Sequence, residues 1–503
     1  MDFTHFSAAL AVGVASLFVM KAKQSPNYPP GPPADPLIGH LRVIPFENQD
    51  ATFHTWAKEY GDVIHLEALG NHIVVLDSVE AANDLLEKRS ANYSDRPHIL
   101  VFDIVGMNDI VLMPYGESFR KHRKFVHSTI TKRAITTFQP VQTKNARALA
   151  LNLLENKNRH EMFFNMFATS VITGILYGHQ VVSEDDEYMK LMDHQSMIAV
   201  NLGQPGGALL DIFPFLQHLP AWFPGTGPAA QAREWRPMFR RVYDYPYEQV
   251  EKKMSEGVAE DSILGRVLAG FSTRSSVPEE EIEYAKLATG AMYRAAVETT
   301  WSTVAVLFMA MILYPECQKR AQEEIDRVIG AERLPEFEDK DSLPYTTALI
   351  HEVLRWHPVI PLAIPHRSVQ DDVYKGMFIP KGTTILANVM GMALDEKTYK
   401  NPSVFNPSRF LPKPDGDGEP LFGSAFGFGR RICPGRHFAF NSLWILTATI
   451  LATLNLTAGR DENGKVVPPP LEFNHTVSSR PKEFICDVRA RSPLSVSLLS
   501  QVG

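Results

Sequence analysis

The sequence predicts a mainly α fold with small β sheets, and three features carry that expectation. From Glu279 about 35 residues run without proline until Pro315, with Gly290 as the only glycine; at roughly 1.5 Å per residue this is a helix of about 50 Å, which belongs in the centre of a large domain. Arg159 to Arg274 reads as a series of helices broken at Pro205-Gly206-Gly207 and Pro224-Gly225. Strand signals are short and scattered: His72 to Asp77, Thr383 to Ala387, and a β-rich tail from Gly464.

Taken in order, residues 1–22 read as a membrane anchor. Phe3 to Met20 is apolar apart from Thr4, His5 and two serines, and the charges Lys21 and Lys23 follow the run rather than precede it. By the positive-inside rule the body then faces the cytosol; a peripheral or buried helix is the plainer reading. Residues 23–36 contain Tyr28-Pro29-Pro30-Gly31-Pro32-Pro33, a stiff, non-helical hinge because proline fixes φ and lacks an N–H. The strand His72–Asp77 is followed by a helix from Val79 to Lys88. Asp95 to Tyr115 has no clean period and reads as loop, and Phe119-Arg120-Lys121-His122-Arg123-Lys124 opens a basic helix. In the middle, Phe213, Phe215, Trp222 and Phe223 form an aromatic group that could line a substrate channel or meet the membrane, with core packing as its ordinary use.

The long helix has a start signal in Ser276-Val277-Pro278-Glu279, a capping box with proline in the first turn. Inside it lies Ala295-Ala296-Val297-Glu298-Thr299-Thr300. A threonine can bond back to the carbonyl four residues earlier. That leaves Glu298 unexplained, because a buried acid is costly unless it is bonded. Glu352 and Arg355 then share one face of a helical stretch, Ala348 to Trp356, ahead of the proline-broken apolar run Pro358 to Pro365 and His366-Arg367. Phe405-Asn406-Pro407-Ser408-Arg409-Phe410 precedes the loop Phe426-Gly427-Phe428-Gly429-Arg430-Arg431-Ile432-Cys433-Pro434-Gly435. That loop delivers Cys433 to the front of an apolar helix, Arg436 to Leu454, where free N–H groups and the helix dipole favour a thiolate. Its glycines admit a flat ligand and its arginines suit carboxylates. A buried structural cysteine is the plain alternative. Gly427-Phe428-Gly429 fails as a dinucleotide fingerprint, because the sixth position is Ile432.

Bulk properties narrow the class. At 503 residues the length suggests about three domains, yet no linker or repeat divides the chain, so residues 37–503 read as one body. A net charge of −7 argues against a nucleic-acid partner. The three cysteines, Cys317, Cys433 and Cys486, offer neither a disulfide framework nor a zinc spacing and fit a reducing compartment.

The loop F-x-x-G-x-R-x-C-x-G, filled by Phe426, Gly429, Arg431, Cys433 and Gly435, resembles the haem-binding signature of the cytochrome P-450 family. The resemblance extends over essentially the whole chain. It implies the fold of that family, with haem b between the long helix and the cysteine loop and Cys433 as the axial ligand of the iron. Thr299 and Glu298 match the oxygen-activation segment, as hydroxyl and proton relay, while Ala296 stands where glycine is usual. Glu352, Arg355 and Arg409 match the structural network under the haem. Arg123, Arg431 and His366 are implied partners of the propionates, and Phe119 replaces the usual tryptophan. Ala295, Ile360, Leu362, Ala363, Ile364, Thr476 and Val477, with Val359, are implied to face the substrate. The loop Asp95–Tyr115 is implied to cover it.

The implied activity is monooxygenation of a lipophilic small molecule, such as a terpenoid or polyketide of fungal secondary metabolism. Electrons would come from NADPH-cytochrome P-450 reductase, with cytochrome b5 as an optional second donor. The implied location is the endoplasmic reticulum membrane, with the catalytic domain cytosolic. Two other classes share such a cysteine loop: a haem-thiolate isomerase or dehydratase without O2 chemistry, and a haem-binding protein without turnover.

Overall fold

The computed structural model describes residues 26–156, 159–201, 209–475 and 478–501. The anchor stretch 1–22, Pro205-Gly206-Gly207, and Thr476 with Val477 lie outside them. The axis of the fold is the helix Glu279–Leu313, 35 residues long as the sequence predicts. Its start differs from the expected capping box. Pro278 occupies the N-cap with no side-chain cap, and Glu279, Glu280 and Glu281 crowd the first turn instead, where their charges complement the helix dipole.

From Ser302 to Ile312 every residue of this helix is buried. Phe308 meets Phe164 of the helix His160–Tyr177 at 4.5 Å between ring centroids. Burying one such side chain stabilises the fold by about 1.5–3 kcal/mol. The helices Gln139–Glu155, Pro344–Trp356 and Arg436–Thr453 complete this layer around a single large apolar cluster. Among the described residues the central helix is the one long and apolar enough to cross a membrane, and it is mostly buried inside the protein.

A four-stranded sheet stands at one side. Val63–Ala68 and Asn71–Leu76 form an antiparallel hairpin whose turn residues, Leu69 and Gly70, both have positive φ, the geometry that matches strand twist. Asn71–Leu76 pairs in parallel with Thr384–Ala387, and His366–Arg367 closes the sheet on the far edge. Beyond the hairpin, Val79–Ala82 is α-helical and widens into a π turn at Asn83–Lys88.

Three expectations need correction. The stretch Asp95–Tyr115 contains a helix, Leu100–Val105, closed by Gly106. Six residues make less than two turns, too few to show a period, although Leu100, Val101, Phe102 and Val105 are all buried. The β-rich tail begins at Leu454 rather than Gly464, directly behind the cysteine helix, pairs Leu454–Ala458 with Cys486–Ala490, and is followed by the helix Pro493–Ser500. Phe213, Phe215, Trp222 and Phe223 are not core: Phe215 is 60% and Trp222 80% exposed.

Candidate active site

The cysteine loop is shaped by one close approach. Gly429 has φ +52, and a Cβ there would lie 2.1 Å from the carbonyl oxygen of Leu86 in the π turn. Glycine alone fits that gap. The chain then turns back so that the Cys433 N–H donates to the Phe426 carbonyl at 2.8 Å, and the helix Arg436–Thr453 starts just beyond, with Gly435 as its N-cap. Burial pushes the Cys433 thiol up, opposed by the Gly435 and Arg436 N–H groups and the charges of Arg123 and Arg436. Arg123 grips the same loop, its Nη2 donating to the carbonyl of Ile432 at 2.5 Å.

Beside the loop lies a buried basic group. Arg431 donates to the carbonyls of Ser94, Ile110 and Met113, and its guanidinium sits 3.8 Å above the ring of Phe119. The phenylalanine thus keeps the stacking of an aromatic at that place without an indole N–H. Arg96 donates to the carbonyls of Val111, Ile364 and Pro365, and His366 Nδ1 lies 2.7 Å from the carbonyl of Tyr93. Burial pushes Arg431 down to about 10, with Arg123 adding to the effect and Asp95 opposing it. Arg96 and His366 are driven well below their ordinary values by burial, and Arg431 disfavours the charge on both.

Cations buried mainly among neutral carbonyls are costly and call for an anion. The cluster therefore fits a ligand carrying carboxylates, as haem does through its propionates. Arg96 had no signal in the sequence beyond standing in a polar loop before Pro97; only its burial beside Arg431 marks it.

The middle of the central helix opens where the sequence pointed. Ala295 is exposed between buried Arg294 and Val297, and Glu298, Thr299 and Thr300 are half-buried, whereas the helix closes again from Ser302. Thr299 Oγ1 donates back to the Ala295 carbonyl at 2.8 Å, and Thr303 Oγ1 donates to the Thr299 carbonyl at 2.7 Å. Both Glu298 oxygens are engaged, accepting from Ser196 Oγ at 2.9 Å and Ser478 Oγ at 2.8 Å. That carboxylate ties the helix Glu187–Asn201 and the tail turn to the central helix, a bridging task the sequence did not suggest. Ala296 packs against the main core.

Of the segment expected to face the substrate, Leu362 packs on the cluster of Phe53, Ile64, Leu66 and Val75. Ala363, at φ +54, packs on the cluster around Val74 and Phe428. Both side chains are themselves only half-buried. Ile360 and Ile364 stay half-buried and belong to no core cluster.

Glu352, Arg355 and Arg409 meet. Glu352 accepts two bonds of 2.8 Å from Arg355 and one of 3.0 Å from Arg409 Nε, all three side chains being fully or almost fully buried. The structure adds Glu419, which accepts from Arg409 Nη1 at 2.6 Å, and the Asn406 N–H, which donates to Glu352 at 2.8 Å. Two carboxylates thus balance two guanidiniums. Glu419 was missed because its link to Arg409 depends on how an irregular loop folds.

A largely helical body with small sheets, a glycine-shaped cysteine loop and a buried cationic group beside it define a haem-thiolate class of protein. The comparisons agree: the cytochrome P450 family model matches residues 29–486. Cytochrome P450 monooxygenase 136 of Postia placenta is 35% identical over 98% of this chain and 95% of its own length. Cytochrome P450 monooxygenase ple1 of Rhodocybe pseudopiperita is 36% identical over 96% and 93%, and cytochrome P450 monooxygenase 208 of Postia placenta 37% over 97% and 95%. The chain belongs to the cytochrome P450 family, and it is an enzyme of the monooxygenase kind, which takes electrons from a redox partner and binds a small-molecule substrate.

Proposed function

We propose that this enzyme inserts one atom of O2 into a C–H bond or alkene of a lipophilic small molecule, a terpenoid, polyketide or similar secondary metabolite. The observation that carries the reading is the accessible stretch around Ala295, Glu298, Thr299 and Thr300, set directly before the fully buried run 302–312 of the same helix, with a hydroxyl at Thr299 and a carboxylate at Glu298. Cys433 would ligate the iron of haem b, and Arg96, Arg431, His366 and Arg123 would hold its propionates; the bound group would supply oxygen activation assisted by the thiolate. Gly429, which seats the loop on the π turn, and Gly435, beside Cys433, would leave room for a ring at the loop backbone, and Phe426 anchors the loop, its carbonyl accepting from the Cys433 N–H. Thr299 would hold a proton at its hydroxyl and pass it on, and Glu298 would replenish it. Glu352, Arg355 and Arg409 keep the loop in place without touching the chemistry. Ala295, Ile360 and Ile364 shape the apolar pocket and exclude water.

Arg120, Lys121, Lys124 and Arg430 are exposed and form a basic face near the cysteine loop. Such a face suits an acidic electron donor, NADPH-cytochrome P-450 reductase, with cytochrome b5 as second donor. Residues 1–22 anchor the protein in the endoplasmic reticulum membrane, 23–36 form the hinge, and 37–503 the cytosolic catalytic domain. The exposed Leu37, Phe46, Phe215 and Trp222 support contact with that membrane.

The reduced carbon-monoxide difference spectrum, followed by NADPH consumption with reductase, tests the assignment. Absence of the thiolate-type band sinks it, and a band without NADPH use on any lipophilic compound favours an isomerase or a haem carrier. Thr299→Ala is expected to divert reducing equivalents to hydrogen peroxide by about tenfold or more relative to product.

A further inference from the structure

We propose that Asp109, gripped by Arg294 and Tyr243, is a positioning latch that fixes the loop 106–116 on the central helix and thereby sets which ligands the pocket admits. The proposal rests on the reading above, in which substrate lies against residues 295–300.

The latch joins three elements. Asp109 belongs to the loop after the helix Leu100–Val105, Arg294 to the central helix directly before Ala295, and Tyr243 to the helix Gly227–Ser255. Asp109 Oδ2 accepts from Arg294 Nη2 at 2.5 Å, from Arg294 Nε at 3.1 Å and from the Tyr243 hydroxyl at 3.0 Å. Its other oxygen accepts the Val111 N–H at 3.0 Å. Asp109 is wholly buried and Arg294 nearly so. Tyr243 reaches this place only because position 290 is glycine: a Cβ there would lie 2.4 Å from the tyrosine ring. The lone glycine of the central helix therefore has a use at the latch.

The same short loop is held from its other side, where Arg96 takes the carbonyl of Val111 and Arg431 those of Ile110 and Met113. Residues 109–113 are thus strung between the helix beside Ala295 and the cationic group proposed to hold the propionates. Apolar residues of like volume can often replace a buried ion pair at little cost in stability, but they lack its directional bonds. What the pair supplies beyond stability is the register of the loop above the pocket.

The test uses haem-loaded full-length enzyme and two probes: imidazole, which needs only access to the iron, and clotrimazole, which must fit beneath the loop. In Asp109→Asn, and in the double variant Asp109→Leu/Arg294→Met, amide hydrogen exchange of residues 106–116 should rise by about tenfold. The dissociation constant for clotrimazole should shift by about fivefold or more while that for imidazole stays within about twofold. Tyr243→Phe should move both readouts the same way by less. Should Asp109→Asn fail to fold, the double variant and Tyr243→Phe decide. A double variant with wild-type exchange and a wild-type ratio of the two constants overturns the latch and leaves a merely structural ion pair. Wild-type enzyme that binds neither azole overturns the pocket reading itself, an outcome distinct from the first.

Discussion

Arg123 holds the backbone of the cysteine loop directly: its Nη2 donates to the carbonyl of Ile432 at 2.5 Å, one residue before Cys433. Its charge also favours the thiolate, against the burial that opposes it. A hydrogen bond from a charged group is worth about 1.5–3 kcal/mol. Arg123→Leu is therefore expected to lower the share of enzyme showing the thiolate-type carbon-monoxide band and to speed haem loss on dilution. An unchanged spectrum and unchanged haem retention would show that the loop holds without it.

Glu352 has two guanidiniums depending on it. Glu352→Gln leaves Arg355 and Arg409 buried with Glu419 alone to balance them, and Glu419 meets only Arg409. Breaking a buried network from one side costs about 3–5 kcal/mol. The expected result is a sharp fall in Tm and in folded yield. Glu419→Gln should cost less, since Arg409 keeps Glu352 and the carbonyls of Lys400 and Val404. Equal losses from the two would contradict the central place given to Glu352.

Gly429→Ala meets two penalties at once: φ +52, and a Cβ driven to 2.1 Å from the Leu86 carbonyl. The backbone conformation alone costs about 1–2 kcal/mol, and the clash forces the loop off the π turn. Expression with little or no bound haem is the expected outcome, read as the ratio of Soret to protein absorbance. Full haem occupancy would mean that the π turn can yield.

How much could be read beforehand follows from how local each feature is. The central helix, the cysteine loop and the meeting of Glu352 with Arg355 depend on neighbours in sequence, so spacing and turn residues revealed them. Arg96 and Asp109 act through partners far along the chain, and Glu419 reaches Arg409 only through the path of an irregular loop; a lone charged residue in a loop looks the same whether buried or solvated. For the aromatic group at 213–223 the favoured core reading gave way to the exposed one for a related reason. Aromatic residues are usually interior, and only the fold shows that this turn projects outward. Gly290 stood out in the sequence, yet its reason, the ring of Tyr243, lies 47 residues away.

Buried histidines set the response to acid. Burial holds both His65 and His160 at about 4 instead of 6.5; at His65 the neighbouring His72 and His40 add to the effect. His65 Nε2 lies 2.9 Å from His72 Nδ1, and its ring stacks on Tyr28 of the hinge. The folded state thus prefers these rings neutral, while the unfolded chain protonates them at their ordinary value. Their contribution is complete above pH 6.5 and is lost as pH falls from there towards 4. At about 1.36 kcal/mol for each unit, each histidine would cost about 2 kcal/mol by about pH 5. Tm should therefore fall between about pH 7 and about pH 5, and His65→Gln should flatten that slope even though it lowers Tm at neutral pH through lost packing. Parallel Tm profiles for wild type and variant would remove His65 as a cause of acid sensitivity.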